Sequence, residues 1–276
     1  MAVSDPAEAG TATHADDLAL LEDAARAAGA LAFSFFVEGA RTAAAVNYKD
    51  GGSPVTEADL AADRLLHARC MGARPGYGWL SEETADSADR LGRRRCFVVD
   101  PIDGTRAFVN GWTEWCVSAA VVEDGLPVAG VIVAPVTGEV FAASLGGGAT
   151  LNGQPLRLTT TVPPARDALV EGPRPLVDEL VRATGLPLRR HARVYSLAYR
   201  IMMAAKGSID LALATPASHD WDIAAADLII REAGGVLLEA GVDRPRYNRA
   251  RLQHGVLAGG AEALARPLLA SLAGRY

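Results

Sequence analysis

CFVVDPIDGTRAF, Cys96 to Phe108, is the stretch on which the reading of this chain turns. Cys96-Phe97-Val98-Val99 is an apolar, strand-forming run that leads straight into Asp100 and Asp103. Two carboxylates at the end of a buried strand lose hydration and repel each other, so the site calls for a positive partner. Pro101 fixes φ and lacks an N–H, and is expected to stop the ladder. Gly104 then permits backbone angles closed to other residues. A turn here directs both aspartates and the Ile102 carbonyl at one point. A helix opening at Gly104-Thr105 would set unpaired N–H groups beside that point as an anion site.

On the N-terminal side, Leu18, Leu21, Ala25 and Leu31 recur at helical spacing, predicting a long helix from Asp16 to about Val37. NYKDGGSP reads as a polar loop. VTEADLAADRLLHARCM is a second helix, with Thr56 as N-cap and Asp59 three residues later in the manner of a capping box. GYGWLSEE is a short strand ending in acids. On the C-terminal side, CVSAAVVEDGLPVAGVIVAPVTGEVFAAS gives three antiparallel strands, with turns at Asp124-Gly125 and Thr137-Gly138. LNGQPLRLT adds a hairpin about Asn152-Gly153. The Pro-rich stretch from Val162 to Pro175 is the candidate boundary. Beyond it, helices in PLVDELVRATG, SLAYRIMMAAKG, DIAAADLIIREAGG and AEALARPLLASL alternate with strands in SIDLALA, GVLLEA and GVLAGG. The class is α+β. The expected organisation is a disordered lead over 1–15, an N-terminal α+β subdomain over 16–160 and a C-terminal α/β subdomain over 161–276.

The chain has 276 residues and a net charge of −6, which argues against a nucleic-acid polymer as partner. Arg93–Arg95 and Arg189-Arg190 read as solvated loop charge. Three cysteines with no CxxC pair, and scattered histidines, disfavour zinc and suit a reducing compartment. The N-terminus lacks a basic n-region and an apolar h-region. AAGALAFSFFV is too short to span a bilayer. A cytoplasmic protein without membrane contact is expected. Neither GxGxxG nor GxxxxGK[ST] occurs, which lowers the odds of a dinucleotide or P-loop site.

Four acidic clusters remain: Asp59, Glu82 with Glu83, Asp100 with Asp103, and Asp222. Each stands at a strand end or a helix start, where open sheets collect ligands. Hard cations such as Mg²⁺ take carboxylate oxygens, and a pair of ions can clamp the attacking and leaving oxygens of a phosphoryl displacement. Taken singly, Asp59 is a capping acid, Asp222 a favourable charge at a helix start, Glu82-Glu83 a solvated turn and Lys49 an exposed lysine. Trp112, Trp115 and Trp221 read as core or pocket wall, and His219 as a polar loop residue rather than a ligand. Only the four clusters together resist the bland reading.

DPIDGT, followed much later by WDIAAAD and EAGG, resembles the paired signature of the inositol monophosphatase superfamily, and PVTEAD and SEET match its other acidic elements. The resemblance runs from the first helix to the last. It implies a layered αβαβα sandwich of the inositol monophosphatase and fructose-1,6-bisphosphatase type, frequent inhibition by Li⁺, and often a homodimer. It also implies two or three Mg²⁺ ions, replaceable by Mn²⁺. Glu82, Asp100 and the Ile102 carbonyl would hold one metal; Asp100, Asp103 and Asp222 a second; Glu82 would help place a third. Thr105 with Asp59 would orient and deprotonate the attacking water, and the Gly104 and Thr105 N–H groups would bind phosphate. Two departures bear on substrate. Ser81 replaces the usual Gly before the first glutamate. Animal members carry a glutamate shortly before Trp-Asp to hold inositol hydroxyls, where ALATPASHDWD has Ala214 or Thr215. That segment and RYNRARLQHGVLAGG look more similar to bacterial 3′(2′),5′-bisphosphate nucleotidases. The expected substrate is therefore 3′-phosphoadenosine 5′-phosphate, then inositol 1-phosphate, with histidinol phosphate and fructose 1,6-bisphosphate sharing the same metal core. Candidate substrate contacts are Lys49, Ser196, Thr215 and His219, with Lys49, Arg200 or Lys206 meeting a second phosphate. The remote alternative is a non-catalytic regulatory protein, which would not need the complete acid set.

Overall fold

The computed structural model describes residues 12–49, 51–158 and 167–272. Most of the expected N-terminal lead and part of the Pro-rich stretch lie outside them. Helix α1, His14–Phe33, opens on a capping box between Thr13 and Asp16. It stops four residues short of Val37. Ser34 caps it, and Phe36 leaves the helix axis to pack 5.5 Å from Trp115 and 5.8 Å from Phe108. The stretch read as a polar loop carries a small hairpin, β1 Val46–Tyr48 against β2 Pro54–Thr56. Helix α2, Glu57–Ala73, follows at once, with Thr56 and Asp59 forming its capping box.

A seven-stranded sheet comes next, its strands side by side in chain order: β3 Gly78–Ser81, β4 Arg95–Asp103, β5 Cys116–Glu123, β6 Leu126–Ala134, β7 Glu139–Ser144, β8 Gly148–Leu151 and β9 Gln154–Leu156. β3 and β4 are parallel and the remaining neighbours antiparallel. The short helix α3, Thr105–Val109, leaves β4. A second sheet has the order β11-β10-β12-β14-β13, from β10 Leu169–Glu171, β11 Arg189–Arg190, β12 Leu211–Ala214, β13 Val236–Glu239 and β14 Leu257–Gly260. Helices α4 Arg174–Thr184, α5 Leu197–Ala205, α6 Asp220–Glu232 and α7 Glu262–Ala270 complete the chain.

The period-two alternation of the strands sorts these elements into layers. Phe97, Val99, Val117, Ala119 and Val121 face α1 and α2. Cys96, Val98, Ala120, Val122 and Ile132 face the opposite way, onto α5 and α6. In the second sheet Ala212 and Ala214 join that same middle core, while Leu211 and Leu213 pack with α4 and α7. The result is the expected αβαβα sandwich. Gly130 of β6 lets α6 approach closely, since a Cβ there would stand 3.1 Å from the Ala225 Cα. No described helix is long and apolar enough to cross a membrane.

A further expectation is corrected. Pro101 does not stop the ladder. β4 pairs with β5 at Asp100↔Ser118 and again at Asp103↔Cys116, with one extra residue on β4 between them. That is a bulge, which re-aims side chains without ending the strand.

Candidate active site

The bulge is fixed from beneath. Ile102 is fully buried in a cluster with Ala58, Ala107, Phe108 and Trp115. Asp100 turns back on the bulge, its Oδ1 accepting the Ile102 N–H at 3.0 Å. Gly104 has φ +92°, and a Cβ there would lie 3.0 Å from the Ser196 Cβ. Both the backbone angle and the lack of room require glycine. α3 opens at the next residue, so its first N–H groups, which have no intrahelical partner, start beside Asp103.

Two elements, β4 and α6, deliver three carboxylates. Asp100 and Asp103 flank the bulge, and Asp222 lies in the first turn of α6, where it accepts the His219 N–H at 2.7 Å. Asp103 Oδ2 accepts the Ser196 hydroxyl at 2.7 Å and the Ala198 N–H at 2.6 Å. Oxygens of Asp100, Asp103 and Asp222 all lie within 4.8 Å of one another. Burial pushes Asp100 well above the usual carboxylate range, with Glu82 and Asp103 adding repulsion. Asp222 is raised by burial and by Asp103. Asp103 is held at about 6, because its hydrogen bonds offset part of the burial. An all-oxygen set that resists ionisation unless positive charge arrives fits a hard divalent cation.

Asp59 stands beside this cluster on α2. Its Oδ2 accepts the Thr56 N–H at 2.8 Å and the Thr56 hydroxyl at 2.5 Å, and its Oδ1 accepts the Thr105 hydroxyl at 3.2 Å. Burial raises it to about 6 against those hydrogen bonds. The Thr105 hydroxyl also lies 3.0 Å from the Ile102 carbonyl. Glu82 is outside the tight cluster of three, with Lys49 Nζ 2.8 Å from its Oε1 and equally close to Glu83 Oε1. Burial works against the charge on Lys49, but the two glutamates hold its pKa up at about 12.

A cavity of about 310 Å³ opens over Asp103 and Asp222, walled by Pro173, Tyr195, Thr215 and Ser218, with Arg200 among its lining. Of the candidate substrate contacts, Thr215 lines it. Ser196 instead lies fully buried behind Asp103, donating to it. His219 caps α6 and stacks on Trp221 at 4.7 Å, and burial lowers its pKa. Of the candidate cations, Arg200 is buried against Glu171, donating to the Leu213 and Val194 carbonyls. Lys206 is tied to Glu139 at 2.5 Å. Trp112 is half exposed and stacks on Tyr195, whereas Trp115 is core.

Sequence reasoning missed Asp63. It is buried on the same face of α2 as Asp59, one turn on, and accepts the Ser81 hydroxyl at 2.5 Å and the Thr84 hydroxyl at 2.7 Å. It thus grips both ends of the Glu82-Glu83 turn. The spacing from Asp59 was the available signal.

The profile of the inositol monophosphatase family matches residues 16–274. The chain is 33% identical over 245 residues to an inositol-1-monophosphatase of Mesorhizobium japonicum, covering 81% of this chain and 84% of the relative. It is 35% identical over 224 residues to a histidinol-phosphatase of Mycobacterium tuberculosis, covering 77% and 84%. Its fold is similar to that of the extragenic suppressor protein suhB from Bartonella henselae, with a TM-score of 0.80, 26% identity, and coverage of 94% and 99%.

Proposed function

The chain belongs to the inositol monophosphatase family, and from that premise we propose that it is a Mg²⁺-dependent phosphomonoesterase acting on a small phosphorylated metabolite through attack by water. The observation that carries this reading is the placement of the Asp59–Thr105 pair next to the three clustered carboxylates. Asp100, Asp103 and Asp222 would hold the metal, with Glu82 and the Ile102 carbonyl extending the oxygen set. Bound Mg²⁺ supplies charge stabilisation for the phosphoryl group and acidifies water. Thr105 orients the water through its hydroxyl, and Asp59 takes the proton at Oδ1. With its pKa at about 6, Asp59 is an ionised base at neutral pH. The Gly104 and Thr105 N–H groups hold the phosphate at the start of α3. A cytoplasmic homodimer is the form we expect, with subdomains dividing between the two sheets.

Within this class we favour 3′-phosphoadenosine 5′-phosphate. The cavity wall from Ala214 to Ser218 offers hydroxyls and apolar surface but no carboxylate to hold two ring hydroxyls of a polyol. Inositol 1-phosphate is the second reading, supported by the name of the Mesorhizobium relative. The test is phosphate release from both substrates, and from histidinol phosphate and fructose 1,6-bisphosphate, with Mg²⁺ and with excess EDTA. We expect activity only with the metal, and kcat/KM for the nucleotide above that for inositol 1-phosphate by at least about tenfold. Full turnover in EDTA removes the metal reading, and equal efficiencies remove the substrate reading.

A further inference from the structure

We infer that the arginine-lined hollow beside the reaction cavity is a second anion site, which takes the non-reacting phosphate of a bisphosphorylated, ring-bearing substrate. The hollow has a volume of about 340 Å³ and is lined by Arg174, Arg190, Arg193, His191, Glu171 and Gly172, among others. It adjoins the reaction cavity along two strands of chain. Gly172 and Arg174 face the hollow while Pro173 between them faces the cavity; Arg193 faces the hollow while Tyr195 faces the cavity.

The partition between them is an ion pair. Glu171 lines the hollow and Arg200 lines the cavity, and the two side chains meet. Glu171 also accepts the Val194 N–H at 3.0 Å through its Oε1. The one acid in the hollow is thus already engaged, which leaves the positive charge of the arginines in excess. Asp178 offsets part of it by pairing with Arg190 and, at 3.8 Å, with Arg174. Arg193 is held differently. Its guanidinium lies 4.9 Å over the Tyr195 ring. A guanidinium held over a ring by cation–π attraction keeps N–H donors for a phosphate.

Tyr195, which lines the cavity and carries Arg193 over its ring, is also stacked by Trp112 at 5.1 Å with 28° between the rings, and Trp112 is 44% exposed. From the clustered carboxylates outward the lining therefore runs from the reaction cavity, across the Tyr195 ring, to the arginine hollow. That order suits a phosphate, a flat ring and a second phosphate. A polyol monophosphate would leave the hollow unused, and an ammonium-bearing substrate would be repelled by it.

This inference rests on the phosphomonoesterase reading above, and the experiment separates the two. Hydrolysis of 4-nitrophenyl phosphate is followed at saturating Mg²⁺, with adenosine 5′-phosphate and inorganic phosphate as inhibitors. The ratio of their inhibition constants is compared between the native protein and Arg190→Gln/Arg193→Gln. We expect the ratio of the adenosine 5′-phosphate constant to the phosphate constant to rise at least about tenfold in the variant, the loss of charge-assisted contacts to one phosphate. If the double variant does not fold, Arg174→Gln, whose side chain is 87% exposed, repeats the measurement with an expected rise of about threefold. An unchanged ratio overturns the anion site and leaves the phosphatase reading standing. Absence of Mg²⁺-dependent hydrolysis of every phosphomonoester tried overturns both.

Discussion

Asp100 is 1% exposed and has no Lys, Arg or His within ion-pair distance among the described residues, so its ionised form costs stability until a cation arrives. The sign follows from its raised pKa. The apo fold suffers no penalty from this group below the ordinary carboxylate value of 3.8, and loses stability as pH rises through the folded value. Asp100→Asn removes the ionisation. Its melting temperature in EDTA at neutral pH should exceed the native one by a few degrees, roughly what 1 kcal/mol produces in a chain of this size. Its turnover should fall by at least about a hundredfold, the scale of one lost electrostatic contact in a site of this kind. Thermal melts with and without Mg²⁺, alongside phosphate release, read both effects. Near-native turnover at saturating Mg²⁺ would exclude a central metal-holding role for Asp100.

Elements whose signal is local were legible in the amino-acid pattern. The β5–β7 meander is punctuated by Asp124-Gly125 and Thr137-Gly138, and α6 ends where Gly234-Gly235 says it should. β10 and β11 were not legible. They are three and two residues long, too short to show alternation, and β10 takes its central partner, β12, from some forty residues away. The clustering of Asp100, Asp103 and Asp222 could be anticipated because the two aspartates fall within the last four residues of β4 and Asp222 in the first turn of α6. The support beneath the acids could not, since it depends on pairs distant in sequence. Asp63 is the clearest case, being joined to Ser81 and Thr84 across the α2–β3 connection. Ser81 in place of the family's usual glycine acquires its reason here. Its hydroxyl donates to Asp63 and accepts the Glu83 N–H at 3.2 Å. Asp63→Ala should therefore loosen the Glu82-Glu83 turn. We expect the Mg²⁺ concentration for half-maximal activity to rise about three- to tenfold, with a stability loss of about 1–3 kcal/mol from the orphaned hydroxyls. Urea melts and Mg²⁺ titrations separate the two. A stability loss with an unchanged Mg²⁺ requirement would make Asp63 a purely structural group.

The two sheets share the α5–α6 layer, but polar side chains also tie distant parts of the molecule together. Arg90, from the connection between β3 and β4, donates to Asn248 at 2.7 Å and to the Arg249 carbonyl at 3.1 Å, beyond the end of β13. Asn248 in turn donates its N–H to Asp220 at 2.6 Å. Asp220 then meets His254, whose Nε2 lies 2.9 Å from Asp220 Oδ1 and whose Nδ1 lies 3.1 Å from Glu239 Oε2. This buried triad joins the start of α6, which carries Asp222, to the far ends of β13 and β14. Burial alone would lower the pKa of His254, but hydrogen bonds to Asp220 and Glu239 prevail and raise it to about 9. A raised histidine stabilises the fold fully below its unfolded value of 6.5, and that contribution fades as pH climbs through about 9. The shift corresponds to on the order of 3 kcal/mol. Unfolding free energy measured by urea at a series of pH values, in saturating Mg²⁺ so that the carboxylate cluster does not titrate, should fall by that order between pH 6.5 and 9 in the native protein. His254→Gln can still hydrogen-bond but cannot titrate, so its curve should start lower and stay flatter across the same window. Curves that run parallel for the two proteins would mean that the triad is neutral, and that the tie between α6 and the second sheet is made by packing alone.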